Sequence, residues 1–137
     1  MKKRLISAIA AGALCLAPEI AAAQNSSIAC MYMLLRVYKK ELEHCKVTLP
    51  RVQEQRYSRM RANLEKFIRA NAKGDPEKMI AGIARSEERA IAGLSSCNSE
   101  DFKLARLSMD QLLTSDNEHV VNQNLKIPGN PQAGPCG

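Results

Sequence analysis

The chain has 137 residues, a net charge of +6 and 45% hydrophobic residues, with two Phe, three Tyr and no Trp. That length is one domain's worth, and so mild a basic excess with so few aromatics excludes a dedicated nucleic-acid binder. Five cysteines in so short a chain turn the question to the compartment in which it folds.

Lys2, Lys3 and Arg4 precede an apolar run over residues 5–17, and Pro18 and Glu19 break it. Ala21-Ala22-Ala23 then supplies the small residues needed for cleavage before Gln24. This is the three-part pattern of a secretory signal peptide over residues 1–23. The 13 apolar residues are too few to cross a bilayer, which takes about 20 in a helix. Cys15 follows Leu14, where a lipoprotein signal carries a small residue. The expectation is a soluble protein exported to the periplasm of a Gram-negative bacterium, with no transmembrane segment in the mature chain. Cleavage leaves 114 residues and, with three basic and one acidic side chain lost, a charge of +4. Cys15 leaves too, so Cys30, Cys45, Cys97 and Cys136 remain, an even count that points to two disulfides.

The first predicted helix, residues 28–45, starts after Asn25, Ser26 or Ser27, any of which suits a cap. Ile28, Met31, Leu35, Tyr38 and Leu42 form one stripe, but Tyr32, Met33 and Val37 put apolar surface on other faces as well. Such a helix is either central or part of an interface. Thr48-Leu49-Pro50 leads into a second helix with Tyr57, Met60, Leu64, Phe67 and Ile68 inward and Arg51, Arg59, Lys66 and Arg69 opposite. Gly74, an Asp75 cap and Pro76 then open a third helix to about residue 94, its inward face running from Met79 to Leu94. Gly82 and Gly93 either weaken it or let another helix approach closely. Asn98 or Ser99 caps a fourth, with Phe102, Ala105, Met109, Leu112, Leu113 and Val120 inward, to about residue 122. The tail, residues 127–137, is rich in Pro and Gly and cannot be helical.

Short connections favour antiparallel neighbours, so the expected fold is all-α, an up-down-up-down four-helix bundle over residues 24–126. In that topology Cys45 and Cys97 share one end, and Cys30 and the tail share the other. The predicted disulfides are therefore Cys45–Cys97 and Cys30–Cys136, the second tethering the tail.

Candidate chemistry is sparse. Glu41-x-x-His44 has the spacing of di-metal carboxylate bundles and Asp116-x-x-His119 echoes it, but the two histidines fall at opposite ends of the bundle and off the inward stripes. His44 and Cys45 are helix neighbours pointing about 100° apart, which is no catalytic dyad. The reading has no catalytic residue, metal or cofactor. Glu87 falls on an apolar face, level with Arg61 and Arg106, and predicts a buried Arg61–Glu87–Arg106 ion cluster; Asp116 is paired with Lys78.

These residues point to a non-enzymatic exported protein that acts on another periplasmic or envelope protein. An inhibitor, an immunity-type protein and an accessory subunit of an envelope or secretion assembly all fit. Its expected contact surface is Tyr32, Met33 and Val37 of the first helix, which also suits a homo-oligomer, or the basic stripe Arg51, Arg59, Lys66 and Arg69. The alternative reading is a ligand- or metal-binding bundle, or a chaperone.

Overall fold

Five helices, set by their caps, make up the computed structural model, which describes residues 27–134 and 136. The signal-peptide reading of residues 1–23 lies outside the described residues. Helix α1 (Ile28–His44) begins where the Ser27 hydroxyl accepts a hydrogen bond from the Cys30 N–H, 3.0 Å. It ends in a left-handed turn: Val47 N–H reaches the Leu42 carbonyl at 2.8 Å and Lys46 N–H reaches Glu43, with Lys46 at φ 56°. Pro50 stands at the N-cap of α2 (Arg51–Asn71), which carries no side-chain cap. Gly74, at φ 125°, makes the reversal that Asp75 and Pro76 turn into α3 (Pro76–Gly93). The Ser99 hydroxyl caps α4 (Glu100–Leu112), and Thr114 caps α5 (Ser115–Asn124).

The described residues are all helical or irregular, with five helices where the sequence reading expects four. The fourth expected helix is two, because the backbone breaks at Leu113 and Thr114. The break satisfies its own loose ends: Thr114 Oγ1 accepts from Asn117 N–H, Asn117 Nδ2 donates to the Leu112 carbonyl at 2.8 Å, and Arg56 donates to the Leu113 carbonyl at 2.6 Å. Restarting the helix also resets its phase. Val121, not Val120, is therefore buried, and Val120 faces solvent.

Helix α1 is the hub. It packs on α2, α3 and α4, while α2 also packs on α3 and α5. A square bundle would set α1 and α3 on a diagonal; here they pack directly on each other. The ion pair Lys39–Glu54 and the bond Tyr32–Glu65 run α2 antiparallel to α1. Glu118 against Arg56 and Arg59, then Asn122 against Asn63, run α5 parallel to α2. Tyr32, Leu35 and Leu42 of α1, Met60, Leu64 and Ile68 of α2, and Met109, Leu113 and Val121 beyond them are fully buried. Each such aliphatic side chain stabilises the fold by roughly 1.5–3 kcal/mol.

Both disulfides join the pairs that the sequence reading matches: Cys30–Cys136, closing 106 residues, and Cys45–Cys97, closing 52. The tail is bound by more than sulfur. Pro131 is buried, and its carbonyl accepts from the Ala29 N–H at 2.8 Å, satisfying one of the free donors that open α1.

Candidate functional site

Because α3 leans mainly on α1, its apolar face is only partly covered. Ile83 is its one buried residue among those described, and Met79 and Ile80 stay half-buried. The uncovered part forms a groove of about 610 Å³ between the start of α1, the first half of α3 and the tail. Met33, Met79, Ile83 and the Cys30–Cys136 bridge make its apolar floor. Gln132 and Gly134 of the tail form one wall, and Lys78 and Arg85 of α3 stand on the opposite rim. Gly82 keeps the floor low; a Cβ there would meet only the tip of the Arg85 side chain, at 3.5 Å. Neither Gly82 nor Gly93 accommodates a close helix, so the close-approach reading of these glycines does not hold.

The expected contact residues divide. Tyr32 is fully buried, since α1 is covered on three sides, and this removes it from any contact surface. Val37 is half-buried, and Met33 packs on the core while one side of it lines the groove. On the basic stripe, Arg59 is held by both carboxylate oxygens of Glu118, at 2.8 and 2.9 Å, and Arg69 by Glu65 and Glu77. Arg51 and Lys66 are exposed without an ion-pair partner among the described residues. The stripe is thus partly neutralised from within.

The expected Arg61–Glu87–Arg106 cluster does not form. Glu87 pairs with Arg36 of α1, while Arg61 and Arg106 are exposed. Arg36 also donates to the Tyr32 hydroxyl at 3.0 Å, and that hydroxyl donates to Glu65 at 2.8 Å. The result is a chain of bonds through α3, α1 and α2. Arg69 and then Tyr32, donating to Glu65, hold its carboxyl below the usual carboxylate range, and burial lifts the Tyr32 phenol above its own. Asp116 and Lys78 are both exposed; Asp116 sits in the first turn of α5, where the helix dipole favours it.

Glu41 is half-buried, and its carboxyl is pushed up first by burial and then by Asp101. His44 and His119 are exposed on α1 and α5, and among the described residues no three His, Cys, Asp or Glu side chains are grouped to hold a metal ion. No described helix is long and apolar enough to cross a membrane. The row Lys78, Arg85, Arg89 escaped the sequence reading, although its seven- and four-residue spacing marks one helix face. No protein-family model, no curated protein and no solved structure matches this chain.

Proposed function

We propose that this is a periplasmic protein, exported with cleavage before Gln24, that works without catalysis by binding another protein of the envelope. It serves as an inhibitor, an immunity-type protein or an accessory subunit of an envelope or secretion assembly. The observation that carries this reading is the groove, where the half-buried Met33 and Met79 flank Ile83 in an open apolar floor. An open apolar concavity with a polar rim is the form of a partner site. Two disulfides favour an oxidising compartment, in agreement with export.

The test is affinity isolation of the oxidised mature chain from its own periplasm beside two variants, Gly82→Phe and Gly93→Phe. A side chain at either position enters open space on α3, and only the first fills the groove. The expected outcome is a stoichiometric protein partner lost with Gly82→Phe and kept with Gly93→Phe, both variants melting like the parent. Equal retention by both variants, or no partner at all, would reject the groove as the binding surface.

A further inference from the structure

We propose that the groove takes a helical segment of its partner, one whose apolar stripe is bordered along one edge by a row of acidic residues. This rests on the reading that the protein acts by binding another protein, and it specifies the chemistry of the bound segment.

The two edges of the groove differ in charge. On the α3 side, Lys78 and Arg85 stand at the rim and Arg89 continues the row one turn further; none of the three has an ion-pair partner among the described residues. The tail side offers Gln132 and Gly134, which carry no charge. Asp75 is the one acidic residue in the lining, and its Oδ1 already accepts from Glu77 and Lys78 N–H groups at the start of α3. A groove with two cations on one edge, a third just beyond it on the same helix face, and an uncharged opposite edge selects an apolar ligand that is acidic on one side.

The form of the ligand follows from the walls. The described residues contain no strand, so a partner strand finds no sheet edge to extend. From residue 75 to residue 89, α3 rises about 20 Å, enough for a partner helix of three to four turns. Along it Lys78, Arg85 and Arg89 lie about 10 and 6 Å apart. Acidic residues seven and four positions apart on a helix aligned with α3 meet all three. Met33 and Met79 suit such a floor, since unbranched thioether side chains adjust to the shape of an incoming stripe.

The experiment places a photo-crosslinking p-benzoylphenylalanine at position 132, on the exposed tail wall of the groove rather than on its floor, in the full chain, in its native envelope and with both disulfides formed. The cross-linked peptide is then sequenced by mass spectrometry. Position 104 on the exposed side of α4 carries the control crosslinker. The expected product is one partner peptide with an apolar helical stripe and acidic residues at the stated spacing, formed from position 132 and not from 104. Its yield falls at least about tenfold in the Lys78→Glu/Arg85→Glu variant and persists in Lys78→Arg/Arg85→Lys. A partner peptide without the acidic row overturns the proposal and leaves the binding reading standing. So does an adduct with a second copy of this chain, or a yield unchanged by charge reversal. A lipid adduct, or none from position 132, overturns both.

Discussion

Arg36 on α1 donates its Nε–H to Glu87 on α3, with the two side chains only 12% and 17% exposed. The same guanidinium lies over the ring of Tyr32, 5.3 Å from its centroid, so one cation ties the hub helix to α3 while covering an aromatic face of its own helix. Removing the carboxylate leaves that cation mostly buried and half-satisfied. Glu87→Ala is expected to lower stability by about 2–3 kcal/mol in urea denaturation. Arg106→Ala, at an exposed position the sequence reading paired with Glu87, should change it by less than about 0.5 kcal/mol.

The carboxylates give opposite responses to acid. Glu118 is held below its ordinary value of 4.5 by Arg59 first, with Arg56 adding to it. Its ionisation therefore adds stability above the ordinary value, and that contribution is lost as the pH falls through the folded one. Glu118→Gln should lower Tm at pH 7 and flatten the acid limb, with the two curves converging at low pH. Glu41 is shifted the other way, by burial and then Asp101, so its ionised form weighs against the fold above its folded value. Glu41→Gln is expected to raise Tm at pH 7, with the advantage fading as the pH falls through the raised folded value towards 4.5 and gone below it. Melts followed by circular dichroism between pH 3 and 7 check both.

Two backbone positions carry strain or slack. Lys46 occupies the left-handed position that closes α1, a conformation glycine adopts without a Cβ clash. Lys46→Gly should stabilise by about 0.5–1 kcal/mol. Gly93 ends α3 with open space around it, and Gly93→Ala should add up to about 1 kcal/mol through helix propensity. Calorimetric melts of the single variants test both signs.

The Cys30→Ser/Cys136→Ser variant removes the bridge under the groove and releases the wall formed by Gln132 and Gly134. A loss of about 2–4 kcal/mol is expected. Partner retention should fall with it, whereas Gly93→Ala, which leaves the groove intact, keeps the partner. Thermal melts and affinity isolation, each with and without a dithiol reductant, separate the two effects.

Much of this fold is legible in the residues. Asp75-Pro76 and Ser99 announce their helices because caps and turns are local chemistry, and the disulfide pairs follow from which helix ends meet. The break at Leu113 is signalled by Thr114-Ser115-Asp116, a run of cap-forming residues inside an otherwise continuous stripe, of which Thr114 is the cap. Tyr32 was ambiguous for a physical reason: apolarity on every face serves a central helix and an interface equally, and only the placement of α3 and α4 decides. Arg36 was hidden among apolar neighbours, since a long side chain travels several ångströms before its charge finds a partner. The groove depends on what leaves α3 uncovered, and no pattern within α3 itself records that.

The bond between Cys30 and Cys136 has a mechanical meaning. Residues 30 and 136 stand near the two limits of the described chain, with Cα atoms 5.3 Å apart. Tension applied across residues 30 and 136 passes through this single covalent link and largely bypasses the helices. The load path is a clasp, and the 106-residue span it closes hangs from that clasp without bearing the pull.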